Sequence, residues 1–259
     1  MSKVILAAAG CGDPELITIK AVRYLQQADV VLADRLVSKN ILNKYVKEDA
    51  EIIFVGKQNN AAASVPQEEI NELLVKYALQ EKLVVRLKGG DIAFFSNVLD
   101  ELQVLAENNI PYEIIPGITA ASGASAYAGI PLTARGYSTS VRFLTCYKTD
   151  NFTTEYWKEL AATDDTLVFY MSSEVLETVI ANLVQQQIDS SKLVAVIEQA
   201  TTPLQNVSIA NVYEYDQTLK GKSFASPTIV IIGKVVALHQ QFAWQQNSGS
   251  RELYFDPIV

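Results

Sequence analysis

A short glycine-bearing stretch, residues 84–91 (VVRLKGGD), combines residue types that small-ligand chemistry uses. Its apolar start predicts a buried strand, and the last four residues predict a sharp turn. Gly89 and Gly90 carry no Cβ atom, so a ligand can approach the bare main chain there. The carboxylate of Asp91 suits a ribose hydroxyl or a cationic group. The plain alternative is a tight strand-to-helix turn with a solvated acid.

Five apolar runs in the first half of the chain predict the strands that position such loops. A polar or glycine-bearing loop and a stretch with helical periodicity follow in turn, which predicts a parallel sheet with helices on both faces. Open α/β sheets bind ligands at the carboxyl ends of their strands, where these loops would converge. That convergence favours a ligand site over a simple turn. The predicted strands are residues 4–9, 30–33, 51–55, 83–87 and 112–115.

The second half of the chain differs in its pattern. Gly129 and Pro131 interrupt helix propensity and predict a linker. We therefore predict an N-terminal α/β domain over residues 1–128, a C-terminal α/β domain over 129–244 and a polar tail over 245–259. Alternating apolar and polar residues over 207–212 predict an antiparallel part of a mixed sheet with one face toward water. A last helix is predicted over residues 235–244.

Composition excludes several classes of function. The net charge of −8 and the absence of a basic run argue against a nucleic-acid partner. The only cysteines are Cys11 and Cys146 and the only histidine is His239, so we predict neither a disulfide framework nor a metal site. No apolar run reaches the roughly 18 residues of a membrane span, and no signal-peptide pattern is present. We therefore expect a cytoplasmic protein without a membrane partner.

The loops, taken together, resemble the tetrapyrrole methylase family, and within it the uroporphyrinogen-III C-methyltransferases. The resemblance covers residues 4–244. It rests on GCGDPELIT at 10–18, DRLVS at 34–38, VGK at 55–57, VPQEEIN at 65–71, RLKGGD at 86–91, PGITA at 116–120, AGIPLT at 128–133, FYM at 169–171 and EQATTP at 198–203.

The resemblance implies a fold of two α/β domains, a homodimer and a specific reaction. Members methylate two ring carbons of uroporphyrinogen III with S-adenosylmethionine as the methyl donor. The product is precorrin-2, which leads to sirohaem and cobalamin. No metal is implied.

The resemblance also implies roles for residues at matching positions. Asp34 and Lys57 match the acid/base positions, and the chemistry agrees, because a carboxylate can accept a proton while an amine donates one or contacts substrate carboxylates. The S-adenosylmethionine positions are Cys11, Gly89, Gly90, Asp91, Phe94, Thr119, Ala120, Met171 and Ala200. Those for the substrate are Arg35, Lys88, Asn97 and Arg135.

The chain departs from the family pattern mainly on the acceptor side. Asn97 stands where the family has an arginine, whose planar fork would grip substrate carboxylates. Ala134 replaces a histidine and Cys11 replaces a proline. Arg35, Lys57, Lys88, Arg135 and Arg142 remain as candidates to bind carboxylates. Two alternatives therefore stay open: the same fold methylating a different tetrapyrrole or other acceptor, and a donor-binding protein without turnover.

Overall fold

The fold divides into two compact units. The computed structural model describes residues 3–55, 65–146 and 152–255. The first unit comprises Met1–Ala120 with Leu253–Val259, and the second comprises Ala121–Glu252. Each unit is built around one five-stranded sheet.

The first sheet is wholly parallel. Its strands lie in the order β3-β2-β4-β1-β5, and every pairing in it is parallel. The central strands are apolar on both faces, as parallel strands covered by helices must be. The prediction of a parallel N-terminal sheet is therefore confirmed. The strands are β1 (Lys3–Ala8), β2 (Val30–Asp34), β3 (Glu51–Val55), β4 (Leu83–Lys88) and β5 (Tyr112–Ile115).

Helices cover both faces of this sheet. One face packs Ile5, Val31 and Val85 with residues of α1 (Ile19–Leu25) and α2 (Lys39–Tyr45). The other packs Val4, Leu32 and Val84 with residues of α3 (Gln67–Leu79) and α4 (Val98–Glu107). Side chains alternate between the faces along each strand, so every central strand contributes to both cores.

The second sheet is mixed, as predicted. Strands β6 and β7 are parallel, whereas β10 runs antiparallel to both β7 and β8, and β9 runs antiparallel to β8. The strands are β6 (Val141–Thr145), β7 (Thr166–Tyr170), β8 (Leu193–Glu198), β9 (Asn206–Asn211) and β10 (Thr228–Gly233), in the order β6-β7-β10-β8-β9. The helices are α5 (Ala120–Ala128), α6 (Thr154–Ala162), α7 (Leu176–Gln185), α8 (Tyr215–Thr218) and α9 (His239–Phe242).

The predicted last helix over 235–244 is wrong in its extent. The chain forms a 3-10 helix, Lys234–Leu238, and then the four-residue α9. Residues three apart eclipse in a 3-10 helix, so Val235 and Leu238 are buried along one line. The helix ends at Phe242, where the backbone of the next residue, Ala243, is extended (φ −61°, ψ 117°), and the Trp244 indole beyond it donates a hydrogen bond to the Ala126 carbonyl (2.8 Å).

The division between the units falls at Ala120 and Ala121, near the start of α5. The amide of Ala121 donates to the Tyr170 hydroxyl (3.1 Å), and the Ser125 hydroxyl donates to the Ile130 carbonyl (2.7 Å). These bonds associate α5 with the second unit, whereas the sequence predicts a domain boundary after residue 128. Residues 245–252 also hydrogen-bond within the second unit, as Gln245 does with Thr202.

Candidate functional site

Hydrogen bonds join three loops at the carboxyl edge of the first sheet. Gly10, after β1, and Gly90, after β4, exchange backbone hydrogen bonds of 3.1 and 2.7 Å. The Asp91 carboxylate accepts from the amide of Gly117, which follows β5 (2.7 Å). The loops after β1, β4 and β5 are therefore hydrogen-bonded into one layer.

Glycines are required in this layer for two different reasons. A Cβ at Gly89 would lie 2.7 Å from Leu36 Cβ, and one at Gly117 would lie 2.6 Å from Ala8 Cβ, so both positions are closed by neighbours. Gly90 has a φ of +71°, and a Cβ there would have only the Ala120 amide nitrogen, at 3.9 Å, within 4 Å. Bare backbone with space beside it at Gly90 fits the approach of a small ligand.

Asp91 has a structural task. One carboxylate oxygen accepts from the Ala93 amide (2.8 Å) and the other from Gly117, and the residue is 6% exposed. Each carboxylate oxygen has a second lone pair, so a ligand hydroxyl could still donate to it. Its predicted contact with S-adenosylmethionine stays a prediction.

A buried charged network lies at the same edge, centred on Arg86 of β4. Its Nη2 donates to Asp34 Oδ1 (2.5 Å) and its Nε to Glu101 Oε1 (2.8 Å). Arg86 and Glu101 are 2% and 0% exposed, whereas the Asp34 side chain is 27% exposed. Asp34 is thus the member of the network that solvent, or a ligand, reaches. We call Asp34, Arg86, Lys88 and Glu101 the charged network.

Lys88 completes the charged network from below the surface. Its Nζ donates to both Glu101 oxygens (3.0 and 3.1 Å), and its side chain is 5% exposed. Burial, reinforced by repulsion from Arg86, lowers the pKa of Lys88, and Glu101 offsets this only in part. Burial also lowers the pKa of Arg86, but attraction to Asp34 and Glu101 outweighs it and raises the pKa above its ordinary value.

Strand register explains why these side chains meet. Leu32 of β2 pairs with Arg86 of β4. Asp34 lies two residues beyond Leu32 and Lys88 two beyond Arg86, so all four project to one face. Glu101 reaches them from the first turn of α4, which covers that face. Sequence reasoning missed Arg86 and Glu101 as site residues, although a charge inside an apolar strand was a signal for Arg86.

The loop before α4 carries the main departures from the family pattern. Asn97 is the N-cap of α4 in a left-handed conformation (φ 51°), and its side chain makes no capping hydrogen bond. Phe95 also has a positive φ of 52°. Phe94 and Leu99 are 38% and 65% exposed. Uncharged and apolar side chains therefore occupy this part of the surface.

The remaining predicted residues are placed as follows. Lys57 lies outside the described residues. In the first unit, Cys11, Arg35, Thr119 and Ala120 are partly buried and follow β1, β2 and β5. In the second unit, Arg135 is exposed in a short turn closed by a bridge between Ala134 and Ser138.

The carboxyl edge of the second sheet holds the other two predicted donor positions. Strands β7 and β8 are both antiparallel to β10 and so point the same way. Met171 follows β7, 55% exposed and with a φ of 54°, and Ala200 follows β8, 8% exposed. Each of these two predicted residues thus lies just beyond a strand end.

Neutral hydrogen bonds fix the loop around Ala200. The Gln205 side chain accepts from the Thr201 amide (2.9 Å), and the Thr202 hydroxyl donates to the Gln199 carbonyl (2.7 Å). These four side chains are 0–3% exposed. Glu198, the last residue of β8, is acidic, and burial raises the pKa of its carboxyl.

The part of the chain that the structure describes offers neither a metal site nor a membrane-spanning helix. Within residues 3–55, 65–146 and 152–255, no three His, Cys, Asp or Glu side chains are grouped so as to hold a metal ion. Among the helices of those same segments, none is both long enough and apolar enough to cross a membrane.

Comparison with known proteins identifies relatives over nearly the whole chain. Residues 3–216 match the family of tetrapyrrole (corrin/porphyrin) methylases. A siroheme synthase of Pseudomonas putida (strain W619) is 45% identical over 246 residues, which are 95% of this chain and 53% of the relative. The chain therefore spans about half the length of the curated relatives that it matches.

Solved structures match the fold along the full length of both chains. The crystal structure of uroporphyrin-III C-methyltransferase from Thermus thermophilus superposes with a TM-score of 0.77 at 31% identity, over 95% of this chain and 98% of that one. A second structure of that Thermus thermophilus enzyme, complexed with S-adenosylhomocysteine, gives a TM-score of 0.74 at 31% identity, over 90% and 93% of the two chains.

Proposed function

Because the chain belongs to the tetrapyrrole (corrin/porphyrin) methylases, we propose that it transfers methyl groups from S-adenosylmethionine to two ring carbons of uroporphyrinogen III. The product is precorrin-2. The siroheme synthases among its relatives support a place in sirohaem synthesis. The Thermus thermophilus enzyme, which this chain matches from end to end, supports the methyl transfer itself.

The observation that carries the proposal is the partly exposed Asp34 held by buried Arg86. In methyl transfer the sulfonium C–S bond breaks, its electron pair stays on sulfur, and an acceptor carbon bonds to the methyl group. The methylated ring must then lose a proton. A carboxylate fixed in one orientation can accept it, and general base catalysis of this kind contributes about 10²–10⁴-fold.

The bare backbone of the same edge fits the donor. Gly90 leaves space beside its main chain, and the bonds between Gly10 and Gly90 hold that surface rigid. Fixed positioning of donor and acceptor is worth up to about 7–11 kcal/mol in favourable cases. We propose that the donor contacts Cys11, Gly89, Gly90, Asp91, Phe94, Thr119, Ala120, Met171 and Ala200.

For the substrate we propose Arg35 and Arg135 as carboxylate ligands, with Asn97 as an uncharged contact. Lys57 is proposed as the partner acid of Asp34. Lys88 is kept as a proposed ligand, although its ammonium would first have to leave Glu101.

One observation favours a second candidate, in which the acceptor is a different tetrapyrrole. Asn97 carries no charge, and Phe94 and Leu99 beside it are exposed. A surface of this kind suits an acceptor with fewer carboxylates, because it offers no cation to pair with them.

We also propose that the protein is a cytoplasmic homodimer, following the resemblance. Light scattering coupled to size exclusion measures this directly. A mass of twice 28.5 kDa is expected, and a mass of 28.5 kDa would contradict it.

Anaerobic incubation with S-adenosylmethionine and uroporphyrinogen III, followed by mass spectrometry, tests the proposed function. We expect a product that carries two more methyl groups and is heavier by two CH2 units, because each methyl group gained is accompanied by the loss of one proton. Donor binding without product from uroporphyrinogen III, but with product from a later precorrin, would favour the second candidate. Donor binding without product from either would point to a binding protein without turnover.

A further inference from the structure

The end of the described chain packs onto the loop that follows Asp34. The Tyr254 hydroxyl shares a hydrogen bond with the Ser38 hydroxyl (2.9 Å) and accepts one from Asn40 Nδ2 (2.9 Å). The next residue, Phe255, is 4% exposed, and its ring lies 5.1 Å from that of Tyr254. All of these residues belong to the first unit.

Ser38, which Tyr254 contacts, caps the helix that follows Asp34 in the chain. It is the N-cap of α2, its hydroxyl accepts from the Asn40 amide (3.2 Å), and it is 2% exposed. Tyr254 therefore hydrogen-bonds the side chain that starts the helix. Capping bonds of this kind fix where the chain enters a helix.

The loop between Asp34 and Ser38 is short and tightly folded. The Val37 amide donates to the Asp34 carbonyl (3.0 Å), and the Leu36 side chain occupies the space that a Cβ on Gly89 would need. A shift at Ser38 is thus passed to Asp34 on one side and to the Gly89 backbone on the other. Such a loop transmits displacement because closed packing resists local compression.

Residues just before Tyr254 are themselves fixed within the second unit. Gln199 Nε2 donates to the Glu252 carbonyl (2.9 Å), and Asn206 Nδ2 donates to the Ser250 carbonyl (3.0 Å). Hydrogen bonds within the second unit therefore order the chain as far as Glu252.

We propose that Tyr254 is a positioning residue for methyl transfer: it holds Ser38, and through the 35–38 loop it fixes the Asp34 carboxylate. This role rests on the proposed function of Asp34. It also assigns a task to the polar tail, which the family motifs do not reach.

Tyr254→Phe tests the proposal, because it removes only the hydroxyl and keeps the partly buried ring. Tyr213→Phe is the matched control, since the Tyr213 hydroxyl donates to the Ile188 carbonyl (2.7 Å) in the second unit. Hydrogen exchange of the amides in residues 35–42 is expected to quicken by about five- to thirty-fold in Tyr254→Phe and to stay unchanged in Tyr213→Phe. We expect kcat to fall by about tenfold with KM for the donor unchanged.

Ser38→Ala supplies the second variant. In the Tyr254→Phe/Ser38→Ala double variant, the effects on exchange should be clearly less than additive, because both changes remove the same bond. Unchanged exchange at residues 35–42 in Tyr254→Phe would overturn the proposal, and so would faster exchange with an unchanged kcat. Hydrogen exchange does not depend on turnover. An inactive wild-type protein would refute the proposed function, and the exchange rates would still show whether Tyr254 holds Ser38.

Discussion

The carboxyl edges of the two sheets are built from opposite kinds of polar group. At the first edge, a guanidinium, an ammonium and two carboxylates meet in the charged network. At the second, the buried polar side chains around Ala200 are amides and hydroxyls, namely Gln199, Thr201, Thr202 and Gln205. Ion pairs join the buried side chains of the first edge, whereas neutral hydrogen bonds join those around Ala200.

This difference indicates a division of labour. Burying an ion costs several kcal/mol of desolvation free energy, which pairing with an opposite charge must offset. Neutral hydrogen bonds therefore fix a loop at a lower cost. The charged network therefore suggests a task that neutral groups cannot perform, such as orienting a carboxylate for proton transfer. The neutral edge suits shape and contact with the donor.

The largest effect is expected from Asp34→Asn. The amide keeps the size of the side chain but cannot take the proton, so kcat should fall by about 10²–10⁴-fold. Asp165→Asn is the control from the second unit, because Asp165 is also paired with an arginine, Arg142, but precedes β7, at the opposite end of that strand from Met171. Steady-state methylation assays measure both. Equal losses in the two variants would abolish the distinction between the units.

Arg86→Met should give the next largest effect, now on stability. Removal of one member of a buried pair leaves Glu101 and Asp34 short of a partner and should cost about 3–5 kcal/mol. Arg142→Met breaks a partly exposed pair with Glu159 and Asp165 and should cost about 0–1 kcal/mol. Urea denaturation measures the free energy of unfolding of each variant. A cost for Arg86→Met as small as that for Arg142→Met would contradict the burial of the charged network.

Gly117→Ala tests how closely the loops pack at the carboxyl edge of the first sheet. The new Cβ would lie 2.6 Å from Ala8 Cβ and 2.9 Å from the Gly90 carbonyl oxygen, so overpacking should cost about 1–3 kcal/mol. Gly233→Ala, at the end of β10, is the control, since its Cβ would meet Thr166 at an ordinary 3.5 Å. Thermal unfolding measures the stability of both variants. A neutral Gly117→Ala would mean that the layered loops can move apart.

The smallest effect is expected in how the stability contributed by Asp165 depends on pH. Hydrogen bonds from Ser140, then Arg142, lower the pKa of Asp165 from its ordinary 3.8 to about 2. A lowered folded-state pKa adds stability above pH 3.8 that is lost as the pH falls toward 2. The cost of Asp165→Asn should therefore be about 0–1 kcal/mol near neutrality, shrink as the pH falls below about 4 and be lost only below about 2, where the carboxyl is protonated in both states. The free energy of unfolding measured across this range checks the prediction, and a cost that does not shrink as the pH falls would contradict the assignment.

Much of the fold could be predicted from the sequence because its signals are local. The strands at 51–55 and 112–115 have the predicted bounds, since short runs of aliphatic and aromatic residues indicate strands even at the edges of the sheet, where most of these side chains are exposed. Alternation over 207–212 indicated the antiparallel β9. The last helix was wrong in its extent because a sequence pattern locates helix ends poorly and does not separate a 3-10 turn from an α-helix.

The candidate site could be predicted only in part. Glycines and Asp91 stand out beside their strands, but the charged network depends on strand order. Asp34 and Arg86 are 52 residues apart and meet only because β2 lies beside β4. No local feature of the sequence indicates that the Asp91 carboxylate accepts a hydrogen bond from the Gly117 amide.

Single-turnover methyl transfer with separately measured donor affinity tests the division of labour most directly. Asp34→Asn should slow transfer by about 100-fold or more with donor affinity unchanged. Met171→Ala, at the second edge, should weaken donor affinity and leave the rate at saturating donor close to that of the wild type. The account would be contradicted if Asp34→Asn transferred methyl groups at the wild-type rate, or if its defect lay in donor binding.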